Sequence, residues 1–204
     1  MIPKDEDPSS YNEIRSFLEY NWTVFRDECV AMGKRNFNVW VEEYLHNGLW
    51  SILGFYLHGT VINDGSDPRY TENNHALCPR TSALLAEADA RFNTISSAGF
   101  SLLEAGAETH WHDHPNDTHI YRIHLGLVIP SHDACRFEFD GEIVRWREGE
   151  TILFDNTIRH RAVNGGNQDR YVLIVDILRR DHQVGAFDGY KNLTRAERAS
   201  RVLP

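Results

Sequence analysis

The feature that most constrains the fold is a series of short apolar runs in the second half of the chain. Turn-forming clusters such as Asp140-Gly141 and Asn164-Gly165-Gly166 separate these runs. Short strands at regular spacing, divided by such turns, are typical of antiparallel barrels. The pattern predicts a mainly β fold, a double-stranded β-helix of the jelly-roll or cupin-like type. Eight strands are predicted, over 98–105, 108–114, 119–129, 135–139, 142–147, 151–154, 160–164 and 170–178.

The first part of the chain is predicted to form helices that buttress one sheet of this barrel. Apolar residues recur at three- and four-residue steps behind a capping-box pair, Ser10 and Glu13. This pattern predicts one amphipathic helix over about 10–32, with its apolar stripe facing the core. The other predicted elements are a short helix within 37–59, a strand over 50–56, a loop over 60–76, a helix capped by Thr81 or Ser82 that ends near Phe92, and a basic terminal helix behind Thr194 and Glu197.

Length and composition fit a single domain over 1–204. A chain of 204 residues with 41% hydrophobic and 25% charged content is long enough to bury one sizeable core, and no internal repeat or linker divides it. Within that domain we expect a helical buttress with some strand over about 1–95 and a β-barrel core over about 96–180. A C-terminal tail over 181–204 should follow.

The charge and the cysteines narrow the expected partners and compartment. The net charge is −9 and no block of Lys and Arg is present, so neither nucleic acid nor an anionic membrane is an expected partner. The first ten residues lack an apolar signal segment, and no later stretch reaches the ~18 apolar residues needed to cross a bilayer. Cys29, Cys78 and Cys135 have no paired spacing, which is typical of reduced proteins. We therefore expect a soluble, cytoplasmic protein.

Imidazoles are concentrated in one short segment of the predicted barrel. His110, His112 and His114 occupy alternate positions, so on an extended backbone their side chains share one face. A histidine-rich surface loop would have the same local composition. His160, on a separate predicted strand, adds another imidazole. Histidines from two separated strands are a common way for a barrel to bind a metal, and the segment is therefore a candidate metal site.

Two further cationic groups are predicted to face the barrel lumen. Arg122 and His124 share one face of their strand with Gly126, opposite Ile123 and Leu125. Burying such groups without a partner is costly. An anionic ligand would satisfy them, and a neighbouring Asp or Glu would serve equally well, so this segment alone leaves both interpretations open.

Four runs carry a family resemblance. In chain order they are Arg122–Pro130, Trp146–Glu150, Leu153–Asn156 and Ile174–Asp176, with His160 following the third. Together they resemble the aspartyl/asparaginyl β-hydroxylase family of Fe(II)- and 2-oxoglutarate-dependent oxygenases. The likeness covers roughly residues 46–182, so the resemblance implies that the predicted domain is an oxygenase domain on a double-stranded β-helix.

The resemblance implies that His112 and His160 are iron ligands. Many non-haem iron oxygenases add a carboxylate as third ligand, and this chain has His114 at the corresponding position. Ligation by His114 would give a three-His site, whereas a His114 turned away would leave a two-His site. Asp113 is a weaker candidate because strand alternation turns it away from His112, although a bulge could reverse that. His110 is expected to lie outside the ligand set.

The resemblance also implies a binding site for 2-oxoglutarate. Arg170 matches the residue that binds its distal carboxylate, and Ser101 matches the hydroxyl partner of that arginine. A guanidinium pairs bidentately with a carboxylate, and a serine hydroxyl can donate a further hydrogen bond. Arg122 and His124 match positions that line the cosubstrate pocket, which makes them candidate catalytic residues beside the iron ligands. Trp50 matches an aromatic residue at the pocket wall, although ordinary core packing explains a tryptophan there equally well.

The activity implied is hydroxylation of a C–H bond of an amino acid, a carrier-tethered aminoacyl group or a peptide, with O2 consumed and succinate and CO2 released. Trp50, Tyr56 and Trp111 would line the mouth of such a barrel. Vertebrate members have an additional arginine, two residues before the one matching Arg122, that helps to hold an acidic substrate. This chain has Ile120 there, which weakens the case for an acidic substrate. The alternatives are a three-His cupin-type dioxygenase that needs no 2-oxoglutarate and a non-catalytic metal-binding cupin-like module.

Overall fold

Four helices and ten strands are formed by the residues that the computed structural model describes, which are 11–40, 42–47, 49–57, 60–61, 72–139 and 141–179. The helices are α1 (Asn12–Tyr20), α2 (Trp22–Met32), α3 (Glu72–Leu77) and α4 (Pro79–Phe92). The strands are β1 (Asn38–Val39), β2 (Trp50–Leu57), β3 (Thr60–Val61), β4 (Ile95–Leu103), β5 (Ile120–Val128), β6 (Cys135–Phe139), β7 (Glu142–Arg145), β8 (Thr151–Phe154), β9 (His160–Asn164) and β10 (Arg170–Leu178). Single 3-10 turns lie at Lys34–Asn36 and Glu43–Leu45.

The strands form two sheets. The larger has the order β1-β2-β4-β10-β5-β8, with β3 paired to β2, and the smaller has the order β7-β6-β9. All strand pairings within the two sheets are antiparallel. Apolar side chains from both sheets, including Phe137 and Phe154, meet in one buried cluster between them, together with Trp146 from the segment after β7. This confirms the predicted double-stranded β-helix fold.

The outer face of the larger sheet carries the helices. Phe100, Leu125 and Leu173 project from that sheet into a second buried cluster, which also contains Phe25 and Leu85 from the helices. Side chains alternate between the two faces of a strand, so each central strand supplies both clusters. The predicted buttress is therefore confirmed. Within the described part of the chain, no helix is both long enough and apolar enough to span a membrane.

Most strand predictions are confirmed. Strands β6, β8, β9 and β10 have the predicted bounds, while β4 begins earlier than predicted and β7 ends two residues sooner. The prediction of a strand over 108–114 was wrong. Its β-bridges to β9 are isolated ones, Glu108 with Val163 and His112 with His160, and they do not join into a ladder. The His110 carbonyl receives a hydrogen bond from a neighbouring imidazole, and this local bond takes an acceptor that a continuous ladder would use.

The helix predicted over 10–32 is interrupted. Asn21 separates α1 from α2, and its side-chain amide donates to the Phe17 carbonyl at 2.9 Å. An asparagine that bonds locally to backbone competes with the helical pattern, which explains the break. Ser10 lies outside the described residues, so the capping box stays a prediction. Thr194 and Glu197 of the C-terminal helix prediction lie outside them as well.

The start of α4 was predicted incorrectly. The helix begins at Pro79, before the predicted caps Thr81 and Ser82, and it ends at Phe92 as predicted. Glu28 of α2 accepts hydrogen bonds from the backbone N–H groups of Arg80 at 3.0 Å and Thr81 at 2.7 Å. A carboxylate from another helix therefore caps the first turn, and local sequence cannot reveal such a distant partner.

The segment predicted as a loop over 60–76 contains regular structure at both ends. Strand β3 opens it and α3 occupies its last part, while residues 62–71 lie outside the described residues. The short helix predicted within 37–59 is a single 3-10 turn, Glu43–Leu45. The predicted strand over 50–56 is confirmed as β2, which extends one residue further.

Gly126 allows a neighbouring segment to cross the inner face of β5. Its N–H donates to the Glu150 carbonyl at 3.1 Å, and its own carbonyl accepts from Gly149 at 2.9 Å. A Cβ atom added at Gly126 would overlap the Arg147 carbonyl oxygen and lie 2.8 Å from the carbonyl carbon. The crossing segment carries Trp146 into the core, so its position depends on this glycine.

Substituting alanine at Gly126 should destabilise the protein by about 3 kcal/mol, the upper part of the range for overpacking a tight site, because backbone rather than a flexible side chain must move. Urea unfolding followed by circular dichroism measures this. Gly165→Ala is the control, since its added Cβ would lie 3.2 Å from the Ala134 carbonyl oxygen and needs only a small shift. Equal midpoints for the two variants would contradict the prediction.

Candidate metal centre and adjoining chamber

Three histidines meet where the 108–114 segment approaches β9. The ligand atoms of His112, His114 and His160 all lie within 4.8 Å of one another. The backbones of His112 and His160 exchange two hydrogen bonds, of 3.1 and 2.8 Å, which tie the loop to the strand. Their ring centroids lie 4.5 Å apart, whereas those of His114 and His160 lie 6.0 Å apart. His112 and His160 are thus the closer pair, and His114 completes a group with metal-ligand chemistry.

Two of these imidazoles are held in the tautomer that metal binding requires. The Nδ1 atom of His112 lies 2.7 Å from the His110 carbonyl oxygen, and that of His160 lies 2.6 Å from the Ile158 carbonyl oxygen. A carbonyl only accepts, so each Nδ1 donates and each Nε2 keeps its lone pair. Backbone partners of this kind orient metal-binding histidines in known sites.

His114 belongs to the cluster, whereas the nearby residues Asp113 and His110 do not. Its Nε2 atom is buried without a hydrogen-bond partner, and its backbone N–H donates to Asn156 at 3.2 Å. Asp113 is exposed and outside the group, so it is not the ligand that the bulge alternative would have made it. His110 is exposed too, and its Nδ1 lies 2.8 Å from the Tyr44 carbonyl oxygen, away from the group.

Burial keeps the three imidazoles neutral. Loss of solvent lowers the pKa of His112 and His114 below the ordinary value, and it lowers the pKa of His160 to about 3, with a further contribution from the neighbouring imidazole. The Arg122 guanidinium also lowers all three pKa values. Neutral imidazole is the form that binds metals, so the cluster is in the required state at neutral pH.

Aromatic side chains surround the inner side of the metal cluster. The rings of Phe137, Phe139 and Phe154 lie 5.3, 6.4 and 5.5 Å from the His160 ring. This wall excludes water from one side of the cluster. Sequence reasoning missed it, although alternation along the predicted strand at 135–139 already placed Phe137 and Phe139 on one face.

Arg170 lies deep in the same barrel, at the start of β10. Its side chain is 2% exposed, and its Nε and Nη1 atoms are buried without a hydrogen-bond partner. Burial lowers its pKa to about 10, which still leaves it charged at neutral pH. Among the described residues no carboxylate forms a salt bridge with it. A buried, unpaired guanidinium is costly, so the chamber around Arg170 is suited to an anionic ligand.

Ser101 shares the inner face with Arg170. In the pairing of β10 with β4, Arg170 lies opposite Leu103 and Val172 lies opposite Ser101, which makes Ser101 a diagonal neighbour of Arg170. The Trp50 indole donates to the Ser101 hydroxyl oxygen at 3.0 Å and stacks on Trp40 at 4.8 Å. Because the Ser101 oxygen accepts this bond, the Ser101 hydroxyl proton can be donated to a ligand in the chamber. Trp50 thus orients Ser101 and influences the chamber through it.

The two predicted cations of β5 have different environments. Arg122 forms a bidentate ion pair with Asp176, at 2.6 and 2.9 Å, and Ser97 donates to the same carboxylate at 2.6 Å. For Arg122, the neighbouring-carboxylate interpretation is therefore correct. His124 has both ring nitrogens buried without a partner, and burial, with Arg122 and then Arg170, holds its pKa well below the ordinary value. Its neutral ring stacks on Trp146 with centroids 6.0 Å apart.

A cavity of about 640 Å³ opens onto His112 and His114. Trp111 lines it, as predicted, and its ring lies 5.1 Å from the guanidinium carbon of Arg159. The prediction that Tyr56 lines the mouth was wrong, because Tyr56 packs in the core beneath the helices. Its strand has a bulge between Gly54 and Tyr56, and one extra residue reverses the alternation. Carboxylates of Glu42, Asp113 and Asp117 also line the cavity.

Known proteins resemble this chain over most of its length. The family described as Aspartyl/Asparaginyl beta-hydroxylase matches residues 19–180. The mouse Aspartyl/asparaginyl beta-hydroxylase is 27% identical over 173 residues, which are 83% of this chain and 22% of the mouse protein. The Ornithine lipid ester-linked acyl 2-hydroxylase of Rhizobium tropici is 31% identical over 110 residues, 53% of this chain and 37% of that protein. The chain thus spans about a fifth of the mouse relative's length.

Among solved structures, a prolyl-4-hydroxylase from Pseudomonas putida is similar over 77% of this chain and 87% of its own, with 18% identity and a TM-score of 0.46. The family match has a firmer basis, because it extends from the end of α1 through β10 and includes the histidine cluster, Ser101 and Arg170. The chain therefore belongs to the aspartyl/asparaginyl β-hydroxylase family, a family of Fe(II)- and 2-oxoglutarate-dependent dioxygenases.

Proposed function

We propose that this chain is an Fe(II)- and 2-oxoglutarate-dependent hydroxylase that acts on an amino acid, an aminoacyl group or a peptide. One observation carries the proposal: a neutral histidine cluster faces a cavity, and the same barrel holds a buried, unpaired Arg170. The cluster suits Fe(II), and the arginine suits a carboxylate. Together, the histidine cluster and Arg170 form a site in which a metal could act with an anionic cosubstrate.

His112 and His160 hold the iron in this proposal, and the buried Nε2 of His114, which has no hydrogen-bond partner, supports His114 as the third ligand. Bound Fe(II) would supply the activation of O2, during which 2-oxoglutarate is decarboxylated to succinate and CO2 and one oxygen atom enters the substrate C–H bond. Arg170 binds the distal carboxylate, and Ser101 donates its hydroxyl proton to the same group. The aromatic wall formed by Phe137, Phe139 and Phe154 keeps water from the inner side of the metal site.

The cavity suggests the substrate class. Arg159 offers a cation on one wall, and Glu42, Asp113 and Asp117 offer carboxylates. Walls of both signs suit a zwitterionic amino acid or a peptide end better than a purely acidic side chain. The ester-linked acyl chain of an ornithine lipid is the comparison substrate, since a relative is named for it.

The test is a substrate screen with Fe(II), 2-oxoglutarate and O2. Mass spectrometry follows the gain of one oxygen atom by free amino acids, short peptides and an ornithine lipid, and succinate is measured in parallel. The proposal requires a product whose formation depends on 2-oxoglutarate and matches succinate release. An oxygenated product that forms equally well without 2-oxoglutarate would instead establish the three-His dioxygenase. If no substrate in the screen causes O2 uptake, the result favours the non-catalytic metal-binding module instead.

Replacing His114 tests its place in the metal site. If it is a ligand, His114→Ala should weaken Fe(II) binding nearly as much as His112→Ala, and His114→Asp should keep some activity by restoring the common facial triad. Anaerobic calorimetric titration with Fe(II) measures the affinity. Parent-like affinity in His114→Ala would eliminate the three-His site and leave a two-His hydroxylase.

The compartment that we propose is the cytoplasm. Cys29, Cys78 and Cys135 are free, buried thiols. Burial raises the pKa of Cys78 to about 12, so its reactive thiolate is scarce at neutral pH. Unpaired thiols of this kind are typical of proteins kept in a reducing compartment.

A further inference from the structure

Trp146 is a fully buried hydrogen-bond donor without an acceptor. The side chain is 0% exposed, and its indole Nε1 has no hydrogen-bond partner. An indole nitrogen can only donate, so no internal rearrangement of protons can satisfy it. A buried donor left in this state lowers stability, and each such group in a native protein calls for an explanation.

The indole is held firmly in this position. The segment that follows Trp146 is bonded to Gly126 of β5 through Gly149 and Glu150. The ring packs against Phe137 with centroids 5.4 Å apart. A buried tryptophan fixed by backbone and ring contacts cannot turn its N–H towards solvent, so the missing acceptor must come to it.

The surroundings of Trp146 define the chemistry of that acceptor. The guanidinium carbon of Arg170 lies 4.7 Å from the indole ring centroid, and the His124 ring stacks on the indole with centroids 6.0 Å apart. Arg170 and His124 also have buried polar atoms without partners. Trp146, Arg170 and His124 are thus neighbours, all more than nine-tenths buried, and each has a polar atom without a hydrogen-bond partner. Donors gathered around one unpaired cation fit a carboxylate, which offers about four lone-pair sites.

We propose that Trp146 is a further cosubstrate-binding residue, whose indole N–H donates to the distal carboxylate that Arg170 and Ser101 hold. The inference rests on the proposed function, because it takes 2-oxoglutarate as the occupant of the chamber. Arg170 supplies the charge, Ser101 supplies a hydroxyl proton, and Trp146 supplies a fixed neutral donor. These three donors would then bind the lone-pair sites of a single carboxylate group.

The decisive substitution is Trp146→Phe, which keeps an aromatic ring and removes the N–H. We expect the dissociation constant of 2-oxoglutarate, measured by anaerobic calorimetry on the Fe(II)-loaded protein, to rise by about 10- to 100-fold, the range for a hydrogen bond to a charged group. A second probe, 2-oxopentanoate, lacks the distal carboxylate and should bind parent and variant equally. Trp22→Phe is the matched control, since Trp22 is half-buried and packs against Gly149 outside the chamber.

The two ligands separate a binding role from a packing role. The smaller buried ring of Trp146→Phe should cost some stability, and urea unfolding checks that the ligand-free variant remains folded. A purely structural tryptophan would weaken 2-oxoglutarate and 2-oxopentanoate to the same extent, whereas a carboxylate-binding indole weakens only 2-oxoglutarate. Equal 2-oxoglutarate affinity in parent and variant overturns the inference and leaves the proposed function intact. Failure of the parent itself to bind 2-oxoglutarate overturns the proposed function instead.

If the variant does not fold, the indole N–H resonances of the parent decide the question. The chain has five tryptophans, and Trp→Phe changes at the other four assign the Trp146 signal by elimination. That signal should shift when 2-oxoglutarate is added to protein loaded with diamagnetic Zn(II), and it should not shift with 2-oxopentanoate. An unmoved Trp146 signal at saturating 2-oxoglutarate overturns the inference.

Discussion

His160→Ala should abolish Fe(II) binding and turnover. His160 is 3% exposed, its tautomer is fixed by the Ile158 carbonyl, and its backbone is bonded to that of His112. Loss of groups that merely orient a ligand already costs about 10- to 100-fold in metal affinity, so loss of the ligand itself should exceed about 100-fold. Anaerobic titration with Fe(II) and succinate release measure the two effects.

The control for this variant is a histidine away from the cluster. His132 is exposed and lies near Asp133, so His132→Ala should bind iron like the parent. Urea unfolding of the metal-free proteins checks that His160→Ala remains folded. Parent-like iron affinity and activity in a folded His160→Ala protein would refute the assignment of the metal site.

Arg170→Ala should chiefly raise the amount of 2-oxoglutarate that the protein needs. Truncating one member of a buried, hydrogen-bonded charge pair costs about 2–5 kcal/mol, which corresponds to a rise in the dissociation constant from about 30-fold to a few thousand-fold. Fe(II) affinity should stay near that of the parent, because Arg170 is not in the histidine cluster. Calorimetric titration with each ligand separates the two affinities.

Two arginine variants sharpen this prediction. Arg170→Lys keeps the charge and loses the planar fork, so its affinity for 2-oxoglutarate should lie between those of the parent and Arg170→Ala. Arg145→Ala removes an exposed arginine of β7 and should change nothing. If Arg170→Ala titrates with 2-oxoglutarate like the parent, the carboxylate is held elsewhere, and the dioxygenase without cosubstrate gains support.

The different states of Arg122 and Arg170 explain why only one of them is expected to dominate cosubstrate affinity. Arg122 has a carboxylate from its own sheet, Asp176, so its charge is already compensated. Arg170 has no such partner among the described residues, and its buried charge must be compensated by something that binds. Strand alternation placed Arg122 in the lumen, and the family resemblance placed Arg170 at the distal carboxylate of the cosubstrate. Neither could show which arginine already has a carboxylate partner, since that depends on what lies across the strand.

The sequence by itself determined the barrel and the residue types of the site. Period-two alternation and turn residues are local signals, and they predicted β6, β8, β9 and β10 with their observed bounds. The same alternation put Arg122 and His124 on the inner face and Ile123 and Leu125 on the outer one, as the structure shows. A strand's two faces are set by its backbone alone, which is why a single chain segment reveals them.

Only the tertiary structure decided which of these side chains meet. The register of β10 with β4 made Ser101 the neighbour of Arg170, and a bulge in β2 sent Tyr56 to the helices instead of the mouth. The crossing at Gly126 brought Trp146 into the chamber. Register, bulges and crossings depend on pairing between segments that are distant in the chain. Such pairing is selected by the packing of the whole barrel, so no local pattern could have predicted it.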